Sequence, residues 1–240
     1  MPAGRIFCET DIATGGSIAL TKGASHYVSR VLRLYVGDSV VVFNGSGGEY
    51  IADIENIKKD CVTLQVKQYV AVDNESPLNI HLGLSFIRNE RMDFAIQKVV
   101  ELGVASITPL VTERTNVKTN TSRLDKKIGH WRAIALHACE QSGRCIIPVI
   151  NNPCKVFDWV SDNDAGLVAD PTSQDALPSS ISQTAVNILI GPEGGFSVME
   201  IESFHSLKWR SFGMGSRILR AETAAIAALS LAQYCWGDLH

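Results

Sequence analysis

Two glycine-containing segments late in the chain have the residue types and spacing of ligand-binding loops. Residues 188–196 are Ile-Leu-Ile-Gly-Pro-Glu-Gly-Gly-Phe, and residues 213–224 are Gly-Met-Gly-Ser-Arg-Ile-Leu-Arg-Ala-Glu-Thr-Ala. Each places flexible backbone directly after an apolar strand and just before a helix. In an open α/β sheet, ligands bind in that crevice. Two such loops about twenty residues apart predict one pocket built largely from backbone.

The kinds of ligand that the first loop could bind can be narrowed by exclusion. Pro192 fixes one φ angle, and Gly194 and Gly195 permit the positive φ that lets backbone groups approach a flat ligand. No Gly-Lys-Ser/Thr follows, which excludes a P-loop for nucleoside triphosphates, and the Gly-x-Gly-x-x-Gly of dinucleotide sites is absent. The alternative is a tight strand-to-helix turn that binds no ligand.

The second loop carries charge as well as glycine. Arg217 and Arg220 flank an apolar pair, and a helix beginning near Glu222 offers its amides to anions. Arg220, just before that helix, can contact a phosphate or polarise a carbonyl through two hydrogen bonds. The alternative is that Arg220 and Glu222 only pair with other charges at the surface.

The overall composition is that of an ordinary globular protein. The 240 residues are 45% hydrophobic and 20% charged, with a net charge of −3. No apolar run approaches the ~18 residues of a membrane span, and the first residues lack the pattern of a secretory signal. The cysteines form no Cys-x-x-Cys pair, and the histidines show no metal-ligand spacing. These features favour a cytoplasmic protein with reduced thiols, no membrane association and no metal.

The charge is unevenly distributed along the chain. Residues 114–132 hold six Lys or Arg and one Asp, a balance of +5, whereas residues 158–202 hold eight acids and no Lys or Arg. A basic stripe on a mildly acidic protein can bind phosphates. The alternative is a solvated helix face. For the acidic residues 158–175, surface solubility is a sufficient explanation.

The hydrophobic pattern divides the chain into two parts. Residues 1–72 contain short β-branched runs separated by turn residues, typical of hairpins, with one short helix near residues 25–34. Residues 73–77, Asp-Asn-Glu-Ser-Pro, form a polar linker. From residue 78 to residue 240, strands alternate with helices, which predicts an α/β fold with a mostly parallel sheet covered by helices on both faces.

Five motifs, taken in order, resemble the ribosomal RNA small subunit methyltransferase E family, a branch of the SPOUT methyltransferases. Two are the late glycine loops. Upstream of them lie His-x-x-x-Arg-Val-Leu-Arg from His26 to Arg33, Lys-x-x-Glu-Leu-Gly from Lys98, and Glu-Gln-x-x-Arg from Glu140. Met214 is a departure, because many members carry leucine there, but the exchange preserves apolar volume. The resemblance extends over nearly the whole chain.

The resemblance implies a small PUA-like β-barrel domain that binds RNA at residues 1–72. It implies a SPOUT-type methyltransferase domain at residues 78–240, whose parallel sheet contains a deep trefoil knot. The implied reaction transfers a methyl group from S-adenosylmethionine to N3 of one uridine in the decoding region of 16S rRNA, in the 30S ribosomal subunit. A homodimer with the site near the subunit interface is also implied. Two alternatives remain open: a related knotted methyltransferase acting on another rRNA position or on transfer RNA, and a non-catalytic RNA-binding protein.

The implied chemistry assigns roles to individual residues. Uridine N3 carries a proton and lies on the Watson–Crick edge, so the base must be unpaired and deprotonated before methylation. Arg220 is the candidate that stabilises the developing uridinate, and Glu222 and Glu140 are the candidate proton acceptors. The expected cofactor contacts are Leu189, Ile190, Gly191, Pro192, Glu193, Gly194, Gly195, Met214, Gly215, Ile218, Leu219 and Thr223. The expected RNA contacts are Arg5, His26, Arg30, Arg33, Arg114, Lys118, Arg123, Lys126, Lys127 and Arg144.

Overall fold

The chain folds into two compact units in the computed structural model. The structure describes residues 2–58, 61–115 and 121–240, and within the last range it describes side chains from residue 124 onward. One unit is Met1–Glu75 with Cys139–Ile147, and the other is Ser76–Ala138 with Pro148–His240. The division between Glu75 and Ser76 falls inside the predicted linker. The return of Cys139–Ile147 to the first unit differs from the predicted domain bounds, which place these residues in the second domain.

The first unit is built on a five-stranded sheet in the order β1-β3-β4-β5-β2. The pairing of β1 with β3 is parallel, and the other pairings are antiparallel. Side chains alternate between the two faces of each strand, so Val40 and Val42, Ile54, and Leu64 are all at most 1% exposed and form one core. The strands are β1 (Arg5–Phe7), β2 (Ser17–Ala19), β3 (Ser39–Phe43), β4 (Glu49–Lys58) and β5 (Cys61–Val70).

The short helix predicted near residues 25–34 consists of two consecutive pieces. Helix α1 (Lys22–His26) begins earlier than predicted, because the Thr21 hydroxyl accepts a hydrogen bond from the Ala24 amide and so caps the start of the helix. Tyr27–Val31 continue as a π-helical turn. Arg33 follows with a φ of +56°, a left-handed conformation that ends the helical segment.

The second unit is an α/β domain with a seven-stranded sheet in the order β12-β10-β11-β6-β7-β8, and β9 also pairs with β7. Every pairing in this sheet is parallel, as the alternation of strands and helices predicts. The strands are β6 (Asn79–Ser85), β7 (Val104–Val111), β8 (Val149–Ile150), β9 (Cys154–Lys155), β10 (Leu167–Ala169), β11 (Ala185–Ile190) and β12 (Arg210–Phe212). The helices are α2 (Asn89–Glu101), α3 (Thr121–Ser142), α4 (Val156–Asp162), α5 (Val198–Ser206) and α6 (Ala221–Trp236).

The structure contains the predicted residue signals at the end of α2 and at the start of α5. Gly103, with φ +82°, follows the end of α2. The capping box predicted from Ser197 and Glu200 forms at the start of α5, where each side chain binds the other residue's backbone amide. No helix in the described part of the chain is both long enough and apolar enough to cross a membrane.

Two glycines let tryptophan rings pack closely on the second sheet. A Cβ on Gly83 would lie 2.6 Å from the ring of Trp159, and one on Gly166 would lie 2.3 Å from the ring of Trp209. The two rings contact each other, with centroids 5.3 Å apart, and the Trp209 indole donates to the Val160 carbonyl at 3.2 Å. This packing lies beside β10 and β12, since Gly166 and Trp209 directly precede these two strands.

Candidate active site

The first glycine loop, residues 191–196, leaves the carboxyl end of β11 in the middle of the sheet. The Gly195 amide donates to the Pro192 carbonyl at 2.9 Å, and Gly195 takes a φ of +67°. The Phe196 ring then packs edge-on against Phe204 of α5, with centroids 5.2 Å apart. The sequence therefore folds into a tight turn whose exit is fixed by an aromatic contact and by the capping box of α5.

The second glycine loop, residues 213–220, leaves the carboxyl end of β12. The Gly213 amide donates to the Asp175 carbonyl at 2.8 Å, and a Cβ on Gly213 would lie 2.3 Å from the Ser173 carbonyl oxygen, so only glycine fits there. Gly215 has a φ of +90°. Arg220 is the residue before the first turn of α6, and its side chain makes no capping hydrogen bond.

The two loops meet at one cleft of about 450 Å³. A third segment, residues 169–172 at the carboxyl end of β10, completes its wall. Because β10, β11 and β12 are parallel neighbours, their carboxyl ends lie at the same edge of the sheet. Eight predicted cofactor contacts line this cleft together with Arg220: Ile190, Gly191, Pro192, Glu193, Gly194, Gly195, Ile218 and Leu219.

The other predicted cofactor contacts lie elsewhere. Met214 and Gly215 line a smaller cavity of about 50 Å³ that shares residues 169–171 and Leu219 with the cleft. The side chain of Leu189 is fully buried in the core, and Thr223 is exposed on α6. Neither of these two residues lines either cavity.

Several lining residues are absent from the sequence-based prediction. Asp170 and Thr172 follow β10, and the Asp170 carboxylate accepts both the amide and the hydroxyl of Thr172, at 2.9 and 2.7 Å. Phe196 and Ile201 contribute apolar wall. The signal for the β10 segment is its position, because residues after a buried parallel strand reach the same edge as the glycine loops. The acidic residues 158–175 therefore include part of the cleft wall.

Arginine side chains hold the first loop from two directions. Arg114 Nη1 donates to the Gly194 carbonyl at 2.8 Å. Arg91 on α2 lies 3.7 Å from Glu193 Oε1 through Nη1 and 3.7 Å from Glu222 Oε1 through Nε. Arg91 and Arg114 line the cleft with Arg220, so three guanidinium groups face a site whose walls are otherwise largely backbone and apolar side chains.

The predicted catalytic acids have different surroundings. Glu222 lies in the first turn of α6, is 9% exposed, and its Oε2 has no hydrogen-bond partner among the described residues. Glu140 belongs to the first unit and accepts the Phe7 amide at 3.0 Å. Burial, with a smaller contribution from Glu140, raises the pKa of the Cys8 thiol to about 11. Neither Glu140 nor Glu222 is among the residues that line the cleft, but Glu222 directly follows Ala221, which is. Glu140 belongs to the other unit, and we therefore retain only Glu222 as a candidate proton acceptor.

Two predicted RNA contacts are engaged in internal interactions of the first unit. Arg144 is 5% exposed, and its guanidinium binds the Glu75 carboxylate through two hydrogen bonds of 2.7 and 2.9 Å. Arg5 pairs with Glu49 at 3.1 Å, donates to the Cys139 carbonyl at 2.9 Å and lies over the Phe43 ring. We correct the prediction for Arg5 and Arg144, because groups committed in this way are not available to phosphates.

The remaining basic side chains keep the surface positions that an RNA contact requires. His26, Arg30 and Arg33 are exposed on the first unit. On the second unit, Arg114 and Lys126 are exposed and Lys127 is half-buried. Lys118 lies outside the described residues, as does the side chain of Arg123.

Comparison with known proteins identifies the family. The RNA methyltransferase PUA domain family matches residues 20–67, and the RNA methyltransferase domain family matches residues 74–233. The ribosomal RNA small subunit methyltransferase E of Buchnera aphidicola from Schizaphis graminum is 37% identical, over 98% of this chain and 97% of that protein.

Two solved structures share the complete architecture. A Legionella pneumophila protein described as a methyltransferase, with its bound cofactor SAM, superposes with a TM-score of 0.95 at 37% identity and covers 100% of both chains. The ribosomal RNA small subunit methyltransferase E of Neisseria gonorrhoeae, bound to S-adenosyl methionine, has a TM-score of 0.92 at 30% identity, with 99% of each chain covered. The chain therefore belongs to the ribosomal RNA small subunit methyltransferase E family and consists of a PUA domain and an RNA methyltransferase domain.

Proposed function

We propose that this chain binds S-adenosylmethionine in the cleft between the two glycine loops and methylates N3 of a single uridine in the decoding region of 16S rRNA. Membership of an RNA methyltransferase family supports the reaction class, and the cofactor bound in two structural relatives supports the methyl donor. The observation that carries the proposal is the convergence of both glycine loops on one cleft of about 450 Å³.

The cleft fits a ligand that lies against backbone. Gly194 lines it, and a Cβ at this position would stand 3.6 Å from the side chain of Arg114, another lining residue. A Cβ on Gly195 would meet no atom within 4 Å. When bound, the cofactor supplies an electrophilic methyl group on a sulfonium. The main contribution of the protein to such a reaction is positioning, for which a wall fixed by Arg114 and by the capping box of α5 is suited.

The chain must also make uridine N3 nucleophilic. Arg220, in the cleft and without a capping interaction of its own, donates hydrogen bonds to a uracil oxygen and stabilises the negative charge that develops as the N3 proton leaves. Glu222, two residues later, accepts that proton. The observation that supports this role is that Glu222 Oε2 is buried and has no hydrogen-bond partner among the described residues. Buried carboxylate oxygens in proteins are almost always hydrogen-bonded, so this oxygen lacks an acceptor's usual partner.

The RNA is held by basic side chains at the surface of both units, five of them exposed and Lys127 half-buried. His26, Arg30 and Arg33 contact RNA from the PUA domain, and Arg114, Lys126 and Lys127 contact it from the methyltransferase domain. Their charge attracts the phosphate backbone without reading the sequence. The target base must be unpaired, because N3 lies on the Watson–Crick edge. The proposed site of action is the cytoplasm, since the substrate is a ribosomal subunit.

The proposed active form is a homodimer. Leu231 and Tyr234 lie three residues apart on α6, hence on one face, and are 39% and 65% exposed. Ile218 of the second loop is 87% exposed. Apolar side chains of this size, exposed on the helix that begins at the cleft, support a second copy of the chain as their cover. Light scattering should give twice the chain mass, and a Leu231→Glu, Tyr234→Glu variant should give the monomer mass.

The test of the proposed activity uses labelled cofactor and three substrates: 30S subunits, naked 16S rRNA and transfer RNA. We expect label in 16S rRNA alone, confined to one nucleotide of the decoding region. Label in transfer RNA or at another rRNA position would assign a different target. Failure of the purified protein to bind the cofactor, while RNA binding persists, would leave a non-catalytic RNA-binding protein.

A further inference from the structure

Arg91 joins the two glycine loops through a pair of carboxylates. It lies in the first turn of α2, and its Nη1 is 3.7 Å from Glu193 Oε1 while its Nε is 3.7 Å from Glu222 Oε1. Glu193 belongs to the first loop, and Glu222 belongs to the helix that follows the second. One guanidinium therefore spans the two halves of the cleft.

The environment of this bridge favours a defined geometry. The side chain of Glu222 is 11% exposed and that of Arg91 is 29% exposed. The distances are those of ion pairs rather than of hydrogen bonds. Fully exposed ion pairs contribute little, but screening by water weakens as the partners become buried. Glu193 has a second anchor on the same helix, because the Arg88 amide lies 3.4 Å from its Oε1.

The bridge also distinguishes the two oxygens of Glu222. Oε1 faces Arg91, whereas the buried Oε2 has no hydrogen-bond partner among the described residues. An arginine on one oxygen orients the carboxylate and leaves the buried second oxygen as the one that can still accept a hydrogen bond. The same arginine, through Glu193, contacts the first glycine loop, which lines the cleft.

We propose that Arg91 is a positioning residue for methyl transfer: it holds Glu193 and Glu222 in one arrangement and thereby sets the cofactor loop against the proton acceptor. This role rests on the proposed function, because it acts through Glu222. Arg91 is distinct from Arg220, which contacts the uracil, and it needs no contact with the base.

A double-mutant cycle tests this role. Arg91→Met should lower kcat about tenfold, less than the roughly 100-fold or more that a positioned acid–base group contributes, because Glu222 itself remains. The dissociation constant for S-adenosylmethionine should rise no more than about threefold. Arg91→Lys should restore kcat only in part, because it keeps the cation but has one nitrogen where the guanidinium contacts the two carboxylates through two. In a Glu222→Gln background, Arg91→Met should produce no further loss, because residues that act as a unit are not additive.

Lys98→Met is the matched control. Lys98 lies on the same helix and pairs with Glu101 at 2.7 Å, so its loss removes one ion pair of α2 away from the cleft and should leave kcat unchanged. Hydrogen exchange of the ligand-free protein adds a readout independent of turnover. Arg91→Met should speed exchange at residues 191–196 and 221–224, and Lys98→Met should not.

Three results would overturn the assignment. One is wild-type kcat in Arg91→Met, and another is a full tenfold further loss in the Glu222→Gln background, which would mean that the two residues act independently. The third is unchanged hydrogen exchange in both segments. An unaltered protein that fails to methylate uridine would instead refute the proposed function, and the role of Arg91 would fall with it.

Discussion

Arg114 donates a hydrogen bond of 2.8 Å from Nη1 to the carbonyl oxygen of Gly194. This bond ties the segment that follows β7 to the centre of the first glycine loop. A loop rich in glycine has many accessible conformations, and each must be given up when a ligand binds. The bond from Arg114 fixes one of them in advance. The residue predicted as an RNA contact therefore also shapes the wall of the cleft in which we propose that the cofactor binds.

Removal of this bond should weaken cofactor binding. For Arg114→Met we expect the dissociation constant of S-adenosylmethionine, measured by calorimetry, to rise about three- to tenfold. This is less than a buried charged hydrogen bond contributes, because Arg114 is exposed. Arg132→Met is the matched control. Arg132 lies on α3, does not line the cleft, and donates a hydrogen bond of 3.2 Å to the Ile150 carbonyl. Equal affinity in the two variants would mean that Arg114 does not shape the site.

Filling the cleft wall should abolish cofactor binding without unfolding the protein. In Gly194→Val, the new side chain occupies the space beside Arg114, where a Cβ has ordinary contacts of 3.6 Å. We expect no calorimetric binding of S-adenosylmethionine and an unchanged thermal transition. Gly129→Val, on α3 where a Cβ meets no atom within 4 Å, should bind normally. Normal affinity in Gly194→Val would place the cofactor elsewhere.

Arg220 should affect turnover rather than cofactor affinity. The role proposed for Arg220 is to stabilise charge that develops only as the uridine loses its proton. Arg220→Ala should therefore lower kcat about 100-fold, with the cofactor dissociation constant within about twofold of the unaltered protein. Steady-state methylation of 30S subunits measures kcat, and calorimetry measures the cofactor dissociation constant. Wild-type turnover with intact cofactor affinity would exclude this role.

The Arg144–Glu75 pair should stabilise the first unit instead of binding RNA. Glu75 accepts both guanidinium hydrogen bonds and also the amides of Cys145 and Ile146, each at 3.0 Å. Arg144→Met leaves that carboxylate buried and without its cation, which should cost about 3 kcal/mol of unfolding free energy, measured by urea denaturation.

A matched exposed pair provides the comparison. Lys67 and Asp53 lie 3.7 Å apart and are 53% and 37% exposed, so Lys67→Met should change the unfolding free energy by less than about 1 kcal/mol. If Arg144→Met instead kept full stability and lost RNA affinity, the original prediction of an RNA contact would be restored.

Charge reversal on α3 should weaken RNA binding and its salt dependence together. Lys126→Glu with Lys127→Glu removes two cations from the proposed RNA surface, so the slope of log K against log salt should become less steep. A filter-binding series over salt concentration measures it. An unchanged slope would mean that this part of α3 is only a solvated helix face.

Local signals made much of the fold predictable. The parallel sheet follows from strands alternating with helices, and the start of α5 follows from the spacing of Ser197 and Glu200, which form the expected capping box. The two glycine loops were predicted to share one pocket, and the parallel order of β10, β11 and β12 brings them to one cleft.

The remaining features depend on contacts between distant residues. Nothing near Arg144 in sequence indicates Glu75, 69 residues away, and a buried arginine looks the same in sequence as an exposed one. The bridge from Arg91 to Glu193 and Glu222 is equally non-local. Asp170-Pro171 marks a turn after β10 in the sequence, but only the strand order, with β10 between β11 and β12, shows that Asp170 and Thr172 lie in the cleft wall.

The most direct test of the central claim is the chemical identity of the methylated nucleoside. The protein is incubated with S-adenosylmethionine and 30S subunits, the 16S rRNA is digested, and the nucleosides are resolved by mass spectrometry against standards. We predict 3-methyluridine at one methyl per subunit, absent without the protein and reduced about 100-fold in initial rate in Arg220→Ala. A methyl group on carbon 5 of uracil, on a ribose hydroxyl or on another base would contradict the account.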